Sequence, residues 1–297
     1  MKEYEIYNNL KVPKGSKIIL RLDGRNFHSL SKKLNFDKPY DEKFINSMIS
    51  TSINIFKEFS PLFIYTFSDE ISILLSEVPF SGRIEKLNSV FPSLASSSLA
   101  NSLNKYFKND VSNEKQIEKE IENDINHEKD FTNDIKYENE LDNDISDEKE
   151  FDEDIKHEKN VINDSILISF DSRIIPISKN KDVVKYFKWR QDESWRNCIN
   201  SYGYWKLREN YSAKEATQKL KSLKSSDIHQ LLFGNGINLN NVPNYQKRGI
   251  AIYKKKEKII GLNPIKNKEE TSYRNKLIID KKITTFNQGF FKKIDII

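Results

Sequence analysis

A length of 297 residues suits one large domain or two small ones with a real core, and the sole cysteine, Cys198, excludes an intrachain disulfide. No run approaches the ~20 apolar residues of a membrane span, MKEYEIYNN lacks the apolar stretch of a secretory signal, and His28, His127, His157 and His229 are too scattered for a zinc cluster. The net charge of +5 hides an asymmetry: residues 111–160 hold 19 Asp and Glu against 7 Lys and Arg, while the other 247 hold 25 against 42. So basic a remainder favours a polyanionic partner, nucleic acid first, and a cytoplasmic location with no membrane partner is the expectation.

In chain order, Ile18 to Leu22 reads as a short buried strand running into Asp23 and Gly24. The loop that follows carries Asp37, Pro39 and Asp41 as helix-start signals, and Phe44, Ile45, Met48, Ile49, Ile53 and Phe56 recur at helical spacing over Asp41 to Phe59. Leu62–Ser68 and Ile71–Leu75 are β-type runs parted only by Asp69 and Glu70, which predicts a hairpin with SDE at its turn. A second helix is expected over Arg83 to Phe107, interrupted or kinked at Pro92.

Residues 111–164 differ in kind. Asp124-Ile125, Asp134-Ile135, Asp144-Ile145 and Asp154-Ile155 mark a ten-residue repeat. Each ten-residue step turns the apolar stripe by about −80° around an α-helix, so no seam forms, and an acidic insertion, disordered or a loose solvated helix, is expected. Beyond it, Ile166–Ile177 reads as a strand, Asp182–Arg208 as a long helix, Ser212–Phe233 as a pair of short helices and Gly249–Lys254 as a short strand. The basic stretch Pro264–Ile297 has only some β-type runs. The resulting plan is α+β: a ferredoxin-like palm of antiparallel sheet with helices on one face, plus a C-terminal helical and strand extension. It divides the chain into residues 1–110, the insertion 111–164, the rest of the palm at 165–210, and a C-terminal region at 211–297.

On this plan Asp23 and Asp69 converge at one sheet edge. Two carboxylates ~4 Å apart repel by about 4 kcal/mol at an effective dielectric of about 20. A divalent cation removes that cost, and oxygen donors of this kind suit Mg²⁺ or Mn²⁺. Gly24 lets backbone approach a phosphate closely, and the amides of Arg25 to His28 are expected to form an anion-binding turn.

These motifs carry a resemblance. LDGRNFH, FDKPYDEK, FSDEISILL, GRIEK, FDSR, WRQDESWRN, KSSDIHQLLFGNGINLN and YQKRGI, in that order over roughly 1–108 and 165–254, resemble the tRNA-histidine guanylyltransferase superfamily, enzymes that add nucleotides in the 3′-to-5′ direction. The resemblance implies a polymerase-like palm and two Mg²⁺ ions on Asp23, Asp69 and the Gly24 carbonyl. It implies nucleotide contacts from Asp23, Gly24, Arg25, Asn26, Phe27, His28, Lys38, Asp41, Ser68, Asp69, Arg83 and Lys86, with Glu70 in support. The substrates would be tRNA, ATP and GTP: ATP activates the 5′-phosphate, the GTP 3′-hydroxyl attacks it, and pyrophosphate is finally removed. Arg190, Gln191, Arg196 and Asn197 would meet tRNA, and the assembly would be a homo-tetramer.

Two departures stand out. Tyr40 replaces the usual asparagine of a KPND-like motif. Trp195, Arg196, Asn197 and Cys198 stand where eukaryotic members carry HINN, a pattern that looks like the archaeal and bacterial branch and its templated repair of 5′-truncated tRNA. Trp189 and Trp195 equally suit helix–helix packing. A cyclase-like nucleotide enzyme and a catalytically idle tRNA-binding protein are the competing readings.

Overall fold

The computed structural model describes residues 1–125, 166–263 and 268–297. They fall into two compact units, Met1–Leu103 with Ile168–Ile297, and Asn104–Leu167. The elements run β1 (Lys17–Gly24), α1 (Phe27–Lys33), α2 (Glu42–Phe59), β2 (Phe63–Phe67), β3 (Glu70–Leu74), α3 (Ile84–Ile125), β4 (Phe170–Ile177), α4 (Asn180–Arg208), α5 (Ala213–Lys221), α6 (Ser225–Gly234), α7 (Asn244–Arg248), β5 (Ile250–Asn263), β6 (Lys268–Asp280) and α8 (Gln288–Lys293). Among the described residues no helix is long and apolar enough to cross a membrane.

The strands form one six-stranded sheet in the order β4-β1-β3-β2-β5-β6, with every neighbouring pair antiparallel. Its first four strands have the ferredoxin-like arrangement, with β1 and β3 as central neighbours. Successive strand residues point to opposite faces. Ile19, Phe63, Tyr65, Phe67 and Leu74 join Val183 and Phe187 of α4 and Phe286 and Phe291 at the C-terminus in one aromatic-rich core. The alternate residues Ile18, Leu20, Leu22 and Ile64 are also fully buried, as are the inward positions of α2 and α3, among them Ile55, Phe91 and Leu99. The palm strands are therefore covered on both faces. The second layer comes from α4 and the C-terminal region, whose contribution the sequence pattern left open.

α2 starts where Asp41 accepts a hydrogen bond from the Phe44 amide at 2.7 Å, and stops at Ser60 in the left-handed region. β2 and β3 are joined by the two-residue turn Ser68-Asp69, with Ser68 at φ +50°. Pro92 was expected to break or kink α3, yet one helix runs through it. The carbonyl orphaned by proline belongs to Asn88, which is exposed, so solvent can satisfy it. The helix also extends past Phe107, to Ile125. The rest of the decapeptide repeat, expected to be disordered or a loose solvated helix, lies outside the described residues. β5 is much longer than the short strand expected at Gly249–Lys254. Only Ile250–Tyr253 pair with β2, and the remainder forms a two-stranded ribbon with β6.

Candidate active site

β1 brings its last residues to the β2–β3 turn. Asp23 lies directly opposite Glu70 on β3 and Asp171 on β4. The Gly24 amide donates to the Asp69 carbonyl at 3.1 Å and the Arg25 amide to the Ser169 carbonyl at 2.9 Å, so both neighbouring segments are fastened to the end of β1. Asp23 and Asp69 thus meet at one edge, as their places at strand ends imply. Packing gives Gly24 a further local reason beside the expected approach to a phosphate. A Cβ there would lie 2.3 Å from the Phe27 ring, which is itself wedged between Phe44 and Phe170 at 5.7 and 5.6 Å. The expected anion-binding turn also changes: Asn26 adopts φ +59°, the short helix α1 begins at Phe27, and Ser169 already holds the Arg25 amide.

The electrostatics of the edge are those of crowded acids. Burial, then the nearby Asp171 carboxylate, raises the Asp23 pKa, with Arg21 and Arg190 opposing. Burial likewise raises that of Asp69, and the Asp23 charge adds to it, against hydrogen bonds from its own amide and the Ser68 hydroxyl. Glu70 has a different fate. It is 4% exposed and held through both oxygens by the Arg190 guanidinium, Nε at 2.8 Å to one and Nη2 to the other. Ser72 donates to Glu70 at 3.2 Å and pairs with the Tyr186 hydroxyl at 2.9 Å. Arg190 lies 4.5 Å from the Trp189 ring and 5.4 Å from Phe67. Glu70 is therefore anchored in the fold. Among the described residues no group of three or more His, Cys, Asp or Glu side chains is arranged to hold one metal ion.

Beside Asp69 opens a cavity of about 430 Å³. Phe27, His28, Lys38, Tyr40 and Asp41 line one side, Thr66 to Asp69 the sheet edge, and Asn197, Asn200, Ser201, Tyr204 and Trp205 of α4 with Tyr245 and Gln246 of α7 the other. Lys38 donates to Ser31 at 2.8 Å and stands 5.5 Å over the Trp205 ring. Burial lowers its pKa, against the pull of Asp41. Asp41 also fastens the loop, with one oxygen on the Phe44 amide and the other on the Asp37 amide at 3.0 Å.

The predicted residues divide accordingly. Phe27, His28, Lys38, Asp41, Ser68, Asp69 and Asn197 line the cavity, and Asp23 and Gly24 lie at the adjoining strand end. Arg25 and Asn26 are exposed outside the cavity lining. Arg83 and Lys86 are not brought to this edge. They follow β3 after it has run from Glu70 to Leu74, and Arg83 bonds Asn8 at 3.3 Å and bridges Lys11, which precedes β1. Arg190 and Gln191, read as tRNA contacts, point inward. Arg190 holds Glu70, and the Gln191 amide donates to the Thr284 carbonyl at 3.0 Å and accepts from the Phe286 amide at 2.8 Å. Arg196 pairs with Glu193, Trp195 packs in the small core of Ile199, Ile228, Leu232 and Leu239, and Trp189 is 47% exposed. Sequence reasoning missed Asn200, Ser201, Tyr204, Trp205, Tyr245 and Gln246. Ser194, Asn197, Ser201 and Tyr204 recur at helical spacing on α4, a polar stripe that was legible as a face.

Residues 1–131 match the family model for tRNAHis guanylyltransferase and residues 181–297 that for the Thg1 C-terminal domain. The tRNA(His) guanylyltransferase of Eremothecium gossypii is 26% identical over 277 residues, 91% of this chain and 94% of that protein. That of Saccharomyces cerevisiae is 26% identical over 260 residues, 85% of this chain and 88% of its own. Among solved structures, a bacterial tRNA(His) guanylyltransferase-like protein in complex with ATP aligns with TM-score 0.64 and 20% identity, over 100% of this chain and 96% of that one. A bacterial protein of the same description in complex with GTP aligns with TM-score 0.61 and 19% identity, with the same coverage.

Proposed function

Because this chain belongs to the tRNAHis guanylyltransferase family, we propose that it adds GTP-derived nucleotide to the 5′ end of tRNA in the 3′-to-5′ sense, after ATP has activated the 5′-phosphate. The observation that carries the reading is the meeting of Asp23 and Asp69 at one sheet edge beside a cavity lined by His28, Lys38 and Ser68.

In the activation step a 5′-phosphate oxygen of the tRNA attacks ATP and releases pyrophosphate. The 3′-hydroxyl of GTP then attacks the activated phosphate and releases AMP, and the new terminus finally loses pyrophosphate. The Asp23 and Asp69 carboxylates and the Gly24 carbonyl would hold two Mg²⁺ ions. Their fit rests on hard oxygen donors and on two acids crowded at one edge, whose pKa values are raised first by burial and then by a neighbouring carboxylate, Asp171 for Asp23 and Asp23 for Asp69. When bound, such ions polarise phosphoryl oxygens and ease deprotonation of an attacking hydroxyl. Lys38 and Ser68 orient the triphosphate, and the basic balance outside residues 111–160 supplies salt-dependent affinity for tRNA. Arg83 and Lys86 take no part in this reading of a single chain, and the homo-tetramer implied by resemblance is open to sedimentation analysis.

A second reading, templated repair of 5′-truncated tRNA, is favoured by the segment Trp195–Cys198. Trp195 packs inward and Cys198 is buried, and of the four residues Asn197 lines the cavity. One experiment addresses both. The protein is incubated with 5′-monophosphorylated histidine tRNA, ATP, GTP and Mg²⁺, with C or another base at position 73, and scored by primer extension. Addition abolished by EDTA supports the transferase, and dependence on C73 supports templating. No addition under any of these conditions overturns both.

A further inference from the structure

The loop that carries Lys38 is tied across the cavity by a tyrosine hydroxyl. Within this loop, between α1 and α2, the Asp41 carboxylate accepts from the Asp37 amide at 3.0 Å. Tyr40 instead reaches away from the loop: its hydroxyl donates to the Gln246 carbonyl of α7 at 3.2 Å, across 206 positions of chain. The Tyr40 ring lies 6.0 Å from that of Tyr202 on α4, whose hydroxyl meets the Gln246 side-chain oxygen at 2.6 Å. α7 is a firm anchor for such a tie. The Tyr65 hydroxyl of β2 donates to the Arg248 carbonyl at 2.8 Å, and the Asn244 side-chain amide to the Ile283 carbonyl at 2.7 Å, one at each end of the helix. A backbone carbonyl can only accept, so Tyr40 is the donor in the tie, and burial raises its pKa, which keeps it protonated at neutral pH.

Lys38 stands two residues before Tyr40, with Pro39 between them stiffening the backbone. Its ammonium donates to Ser31 at 2.8 Å and lies 5.5 Å from the Trp205 ring. A lysine stem is long and rich in rotamers, so where its charge points depends on how well the backbone beneath it is held. Resting on the reading that Lys38 orients the triphosphate in this cavity, we propose that Tyr40 is a positioning residue for nucleotide binding: its hydroxyl bond to α7 holds the Lys38 loop in place and so aims the ammonium into the cavity. The help goes to the phosphate chain and not to the base, so GTP and ATP gain alike. An asparagine, usual at this place in the motif, ends well short of the same carbonyl, so the tie belongs to the departure at Tyr40.

The test is calorimetric titration of the full-length protein, in Mg²⁺ and without tRNA, with non-hydrolysable GTP and ATP analogues. Wild type is compared with Tyr40→Phe, Lys38→Ala and the double variant, with thermal melts confirming that each folds. Tyr40→Phe keeps the ring and removes the tie, and should weaken both analogues alike by about fivefold. Because Tyr40 acts through Lys38, the double variant should bind no more weakly than Lys38→Ala alone. A merely structural role for the hydroxyl would instead add its loss to that of Lys38→Ala, and additive losses overturn the proposal. So does weakening of one analogue without the other, which would place Tyr40 at the base. Lys38→Ala separates this from the reading beneath it. If Lys38→Ala weakens both analogues while Tyr40→Phe leaves them unchanged, only the positioning role of Tyr40 fails. If Lys38→Ala changes neither, Lys38 does not orient the triphosphate and both fail.

Discussion

The two faces of β1 and β3 are built from alternate residues of the same short strands, and they differ in kind. One is uniform: Ile18, Leu20, Leu22, Ile71 and Ile73 are all fully buried. The other changes character along its length. Ile19 and Leu74 lie in the aromatic core, Arg21 and Ser72 follow beneath Trp189 and Tyr186, and Asp23 and Glu70 close the row. Within five residues of one strand, some 13 Å at about 3.3 Å per residue, the face passes from oil-like packing through a buried ion pair to the acidic edge. A site can thus be continuous with a core when the transition is filled by groups that satisfy one another. Arg190 is the main filler, since it neutralises Glu70 and leaves the edge to Asp23 and Asp69.

Four single substitutions and one double variant probe that contrast. The largest effect is expected from Asp69→Ala, which should lower nucleotide addition by roughly three orders of magnitude or more while tRNA binding in a filter assay stays near wild type. Undiminished addition would remove Asp69 from the chemistry. Next, Arg190→Met should cost about 3–5 kcal/mol in urea denaturation, because it strands Glu70 as a buried charge. Adding Glu70→Leu should recover most of that loss, and a single variant as stable as wild type would mean that the ion pair does not hold this face together. Gly24→Ala should cost about 1–3 kcal/mol, since the new methyl must displace the Phe27 ring; thermal melting that matches wild type would show that the ring yields freely. Smallest is Asp41→Ala, at about 1 kcal/mol, through loss of the α2 cap. An unchanged midpoint there would assign the start of α2 to packing alone.

Much of this was legible from local pattern. The β1 strand, the extent of α2 and the SDE hairpin follow from apolar spacing, from a capping aspartate and from a two-residue break between β-type runs, all properties of a few adjacent residues. The convergence of Asp23 and Asp69 was legible too, since each closes a strand in a plan whose central neighbours are known. Arg190 was harder. An arginine beside a tryptophan on a charged helix reads as an RNA contact, and its partner Glu70 lies 120 residues away in sequence. The passage of α3 through Pro92 depended on whether the Asn88 carbonyl would face water, which spacing does not tell. Gln246 was invisible as a lining residue, because its place in the cavity depends on contacts with Tyr40 and Tyr202, far off in the chain.

By itself the sequence determined β1, α2, the β2–β3 hairpin, the α+β plan and the acidic edge, because periodicity and turn chemistry are short-range and strand ends inherit their residues. Tertiary structure alone decided which charged groups are neutralised inside and which stand ready at the edge. It also decided which polar side chains of α4 and α7 form the far wall of the cavity. The physical reason is that burial and partner choice are set by elements far apart in the chain, and those two quantities turn an identical side chain into a structural anchor or a chemical one.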